Sequence, residues 1–176
     1  MSLTVRPLVP GDLDVVERLE QALFGSQAWS RAALAEELDG PGRTYLAAEV
    51  DGTLVGYAGL RFDGDDADVM TIGTQTAQQG RGVGRILLRA LLDQARELGA
   101  RRVFLEVRVD NAAAVHLYTS EGFHRIGRRR GYYQGVDAWT MRLDLDELPG
   151  EGRSSGRGTN VLLRPSSGTS SLTNGG

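Results

Sequence analysis

The chain has 176 residues, 40% of them hydrophobic, which predicts one compact domain with a real core and leaves no room for a second. It contains no cysteine and no lysine, which excludes disulfides, a cysteine nucleophile, Schiff-base chemistry and the lysine of a nucleotide P-loop. The formal charge of -3 and the presence of only two histidines argue against nonspecific nucleic-acid binding and against a transition-metal site.

The first part of the chain predicts a short strand followed by two helices. Residues 5–8 form the strand, and Asp12 is positioned to cap a helix whose apolar residues recur at helical spacing. Ser30 is a good N-cap for a second helix, which is expected to end at Gly40, next to Pro41.

Three strands are expected next. Residues 44–50 and 53–62 are joined by Asp51-Gly52, a dipeptide that two-residue hairpin turns favour because they need positive φ. A polar loop at residues 63–66 leads to a third strand through Val69, Met70 and Ile72. This order predicts an antiparallel hairpin meander.

The second half of the chain alternates helices and strands. After a glycine-rich turn, a long helix ending at Gly99 is predicted by an apolar stripe of Ile86, Leu87, Leu88, Leu91, Leu92, Ala95 and Leu98. Residues 102–107 predict a strand, residues 111–121 a helix, and residues 123–126 and 138–143 two final strands. The whole order predicts an α/β or α+β sandwich with a mixed sheet.

Three alternating glycines, Gly80, Gly82 and Gly84, lie between a strand and this long helix. Such a turn points unpaired backbone amides at one spot near the positive end of a helix, which favours an anion, and Arg81 and Arg85 reinforce it. An ordinary glycine-rich loop is the alternative. Other phosphate motifs fit worse, because Arg85 stands where a dinucleotide fingerprint has its third glycine, and the P-loop lysine is missing.

The segment Gln79-Gly80-Arg81-Gly82-Val83-Gly84 resembles the Q/R-x-x-G-x-G/A signature of the GNAT superfamily of N-acetyltransferases. The resemblance implies acetyl-CoA as the acetyl donor, no metal, and a pyrophosphate bound by the amides from Gly80 to Gly84. It also implies a mixed, mainly antiparallel central sheet of about six or seven strands flanked by about four helices.

The strand before the turn, Ile72-Gly73-Thr74, is similar to the strand that hydrogen-bonds the pantetheine arm of the cofactor in that superfamily. Residues 72–76 read Ile-Gly-Thr-Gln-Thr, which departs from the commoner Ile-Ala-Val-Asp-Pro. Because backbone contacts tolerate such a change, Ile72, Gly73 and Thr74 are predicted to bind the cofactor.

A second motif, LEVRVDNAAAVHLYTSEGF at residues 105–123, resembles the RimI-type branch of the superfamily, which acetylates the N-terminal alanine of a small-subunit ribosomal protein. Trp29-Ser30 after Phe24, and RRRGYY followed by Asp137-Ala138, are also similar to that branch. The resemblance covers about residues 3–145, which is nearly the whole predicted domain.

Glu106 interrupts the apolar run of residues 103–107, a strand expected to be central and covered on both faces. A carboxylate there is either paired with an arginine such as Arg108 or Arg125, or functional, since partial burial raises its pKa toward that of a general base. The resemblance implies the functional role, so Glu106 is the predicted base.

Asn111 and Tyr118 are spaced to share one face of the helix that follows this strand. Taken alone, Asn111 is typical of an N-cap and Tyr118 of a core aromatic residue. The resemblance implies that both contact the bound cofactor, a role that is compatible with capping, and that Tyr118 is the acid that protonates the leaving thiolate.

On the acceptor side, Trp29, Tyr132 and Tyr133 are candidates to line a peptide groove, while Arg128–Arg130 are expected to be solvated or peripheral. The leading hypothesis is acetyl transfer from acetyl-CoA to the N-terminal α-amine of a ribosomal protein, with no membrane or direct nucleic-acid binding. Two alternatives stay open: a GNAT that acetylates a small-molecule amine or a lysine, and a noncatalytic acyl-CoA-binding or RNA-associated module.

Residues 1–148 are expected to form the acetyltransferase domain, and residues 149–176, rich in glycine and serine, a disordered tail. No basic stretch followed by an apolar run begins the chain, and no apolar segment approaches the roughly 20 residues of a membrane helix. We therefore expect a soluble, cytoplasmic protein.

Overall fold

The computed structural model describes residues 2–145, so the predicted tail at residues 149–176 lies outside the described residues. In chain order its elements are β1 (Leu3–Pro7), α1 (Leu13–Phe24), α2 (Arg31–Asp39), β2 (Arg43–Val50), β3 (Thr53–Phe62), β4 (Asp66–Thr74), α3 (Val83–Leu98), β5 (Arg102–Arg108), α4 (Ala112–Ser120), β6 (His124–Tyr133) and β7 (Val136–Asp144). None of the helices in this part of the chain is long and apolar enough to span a bilayer.

The strands form one seven-stranded sheet in the order β1-β2-β3-β4-β5-β7-β6. Neighbouring strands are antiparallel, except that β4 and β5 run parallel and are connected through α3. The predicted mixed, mainly antiparallel sheet flanked by helices is confirmed.

Two apolar clusters cover the opposite faces of this sheet. The α3 cluster joins α3 and α4 to the sheet, and the α1 cluster joins α1 and α2 to it. Along β2, Leu46 and Ala48 belong to the α3 cluster, whereas Tyr45 and Ala47 belong to the α1 cluster. Since side chains alternate along a strand, the sheet separates the two clusters.

Several local signals in the sequence have the predicted effect. Ser30 Oγ accepts a hydrogen bond of 3.1 Å from the Ala33 amide and caps α2. Gly99 ends α3 in the left-handed region, with a φ of 87°. The turn between β2 and β3 has positive φ at both of its central residues, 50° at Asp51 and 82° at Gly52.

Two predictions about helices are wrong in detail. The Asp12 carboxylate does not cap α1; it accepts a hydrogen bond from the Val9 amide at 2.9 Å and pairs with Arg6 at 2.8 Å, which closes the turn before the helix. Ile86 and Leu98 were predicted on the buried stripe of α3 but are 40% and 43% exposed. The buried stripe is therefore narrower than the run of apolar residues.

The last two strands are longer than predicted. They extend over His124–Tyr133 and Val136–Asp144 and meet at a tight turn with φ of 47° at Gln134 and 89° at Gly135. Most of β6 is exposed, so its outward residues are polar and its sequence lacks the apolar alternation of a half-buried strand. This longer hairpin places β6 along β7, at the edge of the sheet.

Candidate active site

The glycine-rich turn leads directly into the N-terminus of α3. Gly80 and Gly82 have φ of 77° and 85°, and Gly82 is the N-cap of the helix, with no capping side chain among the described residues. A Cβ added at either glycine would meet no atom within 4 Å, so open space adjoins the turn. First-turn amides lack partners within the helix and lie at its positive end. The turn therefore fits the pyrophosphate of a bound coenzyme A.

Other residues of the turn hold it against the sheet. Gln79 Nε2 donates a hydrogen bond of 3.2 Å to the carbonyl oxygen of Thr74, the last residue of β4. Val83 is buried in the α3 cluster. A Cβ at Gly84 would lie 3.8 Å from both Leu117 Cδ2 and Thr74 Oγ1, which is ordinary contact. The turn is thus fixed between β4 and α4.

The two arginines of the turn have different environments. Arg81 is exposed and makes no ion pair within residues 2–145, so it is available to an anion. Arg85 Nη1 instead donates a hydrogen bond of 2.9 Å to Ser120 Oγ and pairs with Glu121, which also pairs with Arg89 at 3.0 Å. In this structure Arg85 joins α3 to the end of α4.

A cleft opens between β4 and β5. The two strands pair only at Asp66↔Arg102, Ala67↔Val103 and Asp68↔Phe104, although both continue for several residues beyond Asp68. The end of β4, including Ile72, Gly73 and Thr74, therefore has β3 on one side and an unpaired edge on the other. Such an edge suits an extended polar ligand that hydrogen-bonds to backbone.

Buried polar atoms without hydrogen-bond partners lie near this cleft. Within the described residues, Thr74 Oγ1, Gln78 Oε1 and Asn111 Nδ2 make no hydrogen bond. Because buried polar groups are normally satisfied, these atoms point to a polar ligand. They fit the amide-bearing pantetheine arm of the cofactor.

The unusual Gly73 has a local packing reason. A Cβ there would lie 2.5 Å from Cε1 of Tyr57, a fully buried residue of the α1 cluster. Glycine at this position therefore accommodates the Tyr57 ring and leaves the backbone of β4 in place.

Asn111 and Tyr118 lie at the start and near the end of α4. Asn111 Oδ1 accepts a hydrogen bond of 3.1 Å from the Ala114 amide, so the capping role is confirmed, while its Nδ2 remains a free donor within residues 2–145. Tyr118 is 4% exposed and packs edge to face on Phe123, with ring centroids 5.9 Å apart. Burial raises the pKa of Tyr118, which keeps its hydroxyl protonated and able to donate.

Glu106 lies in β5 with only 3% of its surface exposed. Arg129 Nη1 donates a hydrogen bond of 2.9 Å to its Oε1, whereas Oε2 accepts no hydrogen bond of ordinary geometry among the described residues. Burial raises the pKa of Glu106, and Arg129 and the nearby hydroxyls of Tyr132 and Thr140 oppose that increase. A buried carboxylate with a raised pKa and one arginine partner suits a general base.

The ion-pair partner of Glu106 differs from both predicted candidates. Arg108 pairs with Asp110 at 2.8 Å, and the guanidinium of Arg125 lies over the Trp139 ring, 4.3 Å from its centroid. Arg129 takes the place because β6 pairs with β7, which in turn pairs with β5. The sequence predicts that Arg128–Arg130 are solvated or peripheral, and the contact of Arg129 with Glu106 corrects that prediction for Arg129.

Tyr132 and Tyr133 join the same group of side chains. Their rings meet edge to face with centroids 4.8 Å apart, and the Arg129 guanidinium lies 4.4 Å from the Tyr132 centroid. Burial raises the pKa of Tyr133, and the neighbouring Tyr132, Glu106 and Tyr118 raise it further. The structure therefore places both tyrosines beside the predicted base and acid.

Trp29 packs on the α1 side of the sheet. It is 5% exposed and packs in the α1 cluster with residues such as Leu34 and Tyr57, and its amide donates a hydrogen bond of 3.1 Å to Glu20. Its role in acceptor binding stays a prediction.

Comparison with known proteins identifies relatives of this arrangement. Residues 13–123 match the sequence profile of the acetyltransferase (GNAT) family. The chain is 48% identical over 149 residues to N-alpha-acetyltransferase RimI of Mycobacterium tuberculosis, covering 81% of this chain and 92% of that protein. It is 36% identical over 146 residues to the putative [ribosomal protein bS18]-alanine N-acetyltransferase of Bacillus subtilis, covering 81% and 96%.

A solved structure agrees with these sequence relationships. The crystal structure of the ribosomal-protein-S18-alanine N-acetyltransferase from Escherichia coli superposes with a TM-score of 0.77 at 29% identity, covering 87% of this chain and all of that one. The matched structure is similar to this chain in overall fold over its whole length.

Proposed function

Because the chain belongs to the GNAT family of acetyltransferases, which use acetyl-CoA, we propose that it acetylates the α-amine of a protein N-terminus, that of an alanine in a ribosomal protein. The single observation that carries the proposal is the similarity, over nearly their whole length, to a relative and a solved structure named for this acceptor. The geometry around Glu106 and Tyr118 supports it.

The cofactor would be held along the α3 side of the sheet. Backbone amides from Gly80 to Gly84 bind the pyrophosphate, with Arg81 as a charged donor. The unpaired edge of β4 at residues 72–74 and Asn111 Nδ2 bind the pantetheine arm. When bound, acetyl-CoA supplies an acetyl group activated as a thioester.

The Glu106 side chain faces away from the α3 side of the sheet, where the cofactor would be held. Its neighbours Leu105 and Val107 belong to the α3 cluster, so alternation along β5 directs Glu106 to the opposite face. We assign Glu106 as the group that removes a proton from the acceptor amine, with Arg129 stabilising its charged form. Tyr132 and Tyr133 then lie where they can line the acceptor site.

Tyr118 belongs to the cofactor side, since it packs in the α3 cluster. Its raised pKa means that the hydroxyl carries a proton throughout the neutral range. We assign it as the donor that hydrogen-bonds to, and protonates, the sulfur that leaves. Glu106 and Tyr118 thus act from opposite faces at the cleft where β4 and β5 separate.

A single modest base suits an N-terminal amine better than a lysine. An α-amine has a pKa near 8, so about a tenth of it is neutral at pH 7, whereas about a thousandth or less of a lysine side chain, with a pKa near 10.4, is neutral. The base in this site therefore needs to deprotonate an α-amine that already titrates close to neutral pH.

The test is mass spectrometry of peptides that begin Ala-Arg after incubation with the protein and acetyl-CoA. We expect one acetyl group on the α-amine, and none on a matched peptide whose N-terminus is blocked and which contains an internal lysine. Glu106→Gln should reduce the rate by about 10²-fold or more. Turnover of small amines but not of peptides would reject the proposed acceptor, and cofactor binding without turnover of any amine would reject the enzymatic role.

A further inference from the structure

A second buried carboxylate, Asp68, lies beside the cleft and has no role in the proposed chemistry. It is 1% exposed, and within residues 2–145 neither of its carboxylate oxygens accepts a hydrogen bond. Its one ion pair is with Arg61, its cross-strand neighbour on β3, at a distance of 3.6 Å. Because an unsatisfied buried carboxylate is costly, such a group requires either a proton or a function.

Strand register places Asp68 on the same face as Glu106. Ala67 and Val69 flank Asp68 and belong to the α3 cluster, as do Leu105 and Val107 on either side of Glu106. Both carboxylates therefore point away from that cluster.

Pairing between β4 and β5 brings the two acids close together. Asp68 is opposite Phe104 in the last pair before the strands separate, and Glu106 is the next residue of β5 on the same face. The two carboxylates are therefore diagonal neighbours at the closed end of the cleft.

The groups around the two carboxylates favour different protonation states. Asp68 faces the cation Arg61 and three acids, Asp63, Asp66 and Glu106; burial first, and then these acids, raise its pKa to about 7. Glu106 instead accepts a close hydrogen bond from Arg129.

The other groups near the pair do not change this difference. Tyr132 from β6 and Thr140 from β7 favour the charged form of Glu106. Glu20 on α1, a further buried acid on this face, is hydrogen-bonded to Tyr57 and to the Trp29 amide. When the pair holds one proton, that proton resides on Asp68.

Resting on the proposed role of Glu106, we propose that Asp68 and Glu106 form a carboxylate pair that shares one proton, with Asp68 as the positioning residue that holds this proton while Glu106 is ionised. When Glu106 takes a proton from the acceptor ammonium, its negative charge disappears. The repulsion that held the proton on Asp68 then weakens, so Asp68 releases that proton to solvent and becomes charged. The proton on Glu106 next moves to Asp68, which restores the starting state with one proton delivered to solvent.

The first test observes the pair directly, without substrate. Carbon-13 NMR titration of the side-chain carboxyls should show one group that titrates near pH 7 and that is lost in Asp68→Asn. The Asp68 signal should move to lower pH in Glu106→Gln, because this variant removes a negative neighbour. The Glu106 signal should stay nearly in place in Asp68→Asn, because Asp68 is already neutral while Glu106 titrates. If the Asp68 signal does not shift in Glu106→Gln, the pair does not exist.

Arg61→Met tests whether Asp68 acts through Glu106 or only through its ion pair with Arg61. It breaks the ion pair with Arg61 and keeps both carboxyls, so the step near neutral pH should persist and move to higher pH. Thermal unfolding of each variant reports whether it is folded, and if Asp68→Asn does not fold, the shift of Asp68 in Glu106→Gln still decides the matter.

The second test uses the peptide assay. In Asp68→Asn we expect the acid limb of the kcat/KM profile to keep its midpoint and its plateau to fall roughly tenfold, since the variant keeps a neutral neighbour of Glu106 but has no proton to release to solvent. An Asp68→Asn profile equal to that of the wild type, or to that of Arg61→Met, would overturn the proposal. Failure of the wild type to acetylate any peptide would instead reject the proposed function and leave the NMR result intact.

Discussion

Arg129 Nη1 donates a hydrogen bond of 2.9 Å to Glu106 Oε1, and this contact joins β6 to a carboxylate in the middle of the sheet. The Arg129 side chain is 39% exposed, whereas that of Glu106 is 3% exposed. The counter-charge of the predicted base is therefore supplied from the edge of the sheet. It opposes the effect of burial and favours the charged form of the carboxylate, which is the form that can take a proton from the amine.

Removal of this cation should move the pH dependence of the enzyme. In Arg129→Gln the pKa of Glu106 rises, because burial continues to raise it while the main opposing interaction is lost. The base is then ionised only at higher pH, so the acid limb of the kcat/KM profile moves to higher pH and activity at neutral pH falls by about tenfold or more. Peptide acetylation measured across the pH range tests this.

Arg130→Gln is the matched control, because Arg130 is an exposed neighbour on the same strand. Its profile should keep the wild-type midpoint. An Arg129→Gln profile that falls uniformly at every pH, without a shift of its midpoint, would show that Arg129 acts on acceptor binding instead of on Glu106.

Local signals in the sequence were sufficient for the elements but not for this contact. The caps at Ser30 and Gly99 and the turn at Asp51-Gly52 depend on the conformations of neighbouring residues, which the residue types themselves favour. The pairing of β6 with β7 is irregular and has two register shifts. No spacing in the sequence shows that the Arg129 side chain contacts Glu106. Arg108, which is only two residues from Glu106 in the sequence, pairs with Asp110 instead.

The glycine-rich turn and the cleft illustrate the same limit. Alternating glycines before an amphipathic helix predicted the turn, since positive φ at Gly80 and Gly82 is a local property. The separation of β4 and β5 after Asp68 is a property of the whole sheet, and so is the burial of Asp68 between β3 and β5. An acidic residue at the start of a strand therefore gave no sign of its position beside the base.

Tyr118→Phe should reduce turnover with little change in the fold. The ring keeps its contact with Phe123, while the hydroxyl that we assign as the proton donor is removed. We expect kcat to fall by about 10²-fold with a small change in KM for acetyl-CoA. Steady-state kinetics measured together with thermal unfolding tests the assignment.

Tyr45→Phe provides the control for loss of a buried tyrosine hydroxyl. Tyr45 donates a hydrogen bond of 2.7 Å to Glu37 in the α1 cluster region, so its loss should lower stability by roughly 1 kcal/mol without a large effect on kcat. If Tyr118→Phe retained full kcat, Tyr118 would be a packing residue and the leaving sulfur would need another proton source.

Asn111 offers a test that separates capping from cofactor binding. Its Oδ1 caps α4, and its Nδ2 is the free donor assigned to the pantetheine arm. Asn111→Asp retains a good cap but loses the donor, so the KM for acetyl-CoA should rise about tenfold with no loss of stability. Asn111→Ala loses both and should also lower the free energy of unfolding by about 1 kcal/mol. If the KM for acetyl-CoA is unchanged in Asn111→Asp, the role of Asn111 is capping of α4 and not cofactor binding.

The glycines of the turn should differ in their tolerance of alanine. Gly82 has a φ of 85°, so Gly82→Ala should lower the free energy of unfolding by about 1–2 kcal/mol and raise the KM for acetyl-CoA as the turn changes shape. Gly84 lacks a positive φ, and an added Cβ would make contacts of 3.8 Å, so Gly84→Ala should leave both quantities nearly unchanged. Chemical denaturation and cofactor titration of the two variants make the comparison, and equal sensitivity at both positions would contradict it.

Asp68 should make the stability of the protein depend on pH. Its pKa is about 7 in the folded state and 3.8 as the reference for the unfolded chain, so the folded state holds the proton more tightly. Stability is therefore lost as the pH rises from about 4 to about 7, by about 4 kcal/mol at most, and the folded-state pKa already includes the opposing effect of Arg61. Asp68→Asn should raise the Tm at pH 8 and have little effect at pH 4. Equal destabilisation of the variant at both pH values would mean that Asp68 is charged in the folded protein and stabilised by Arg61, which would remove the basis for a shared proton.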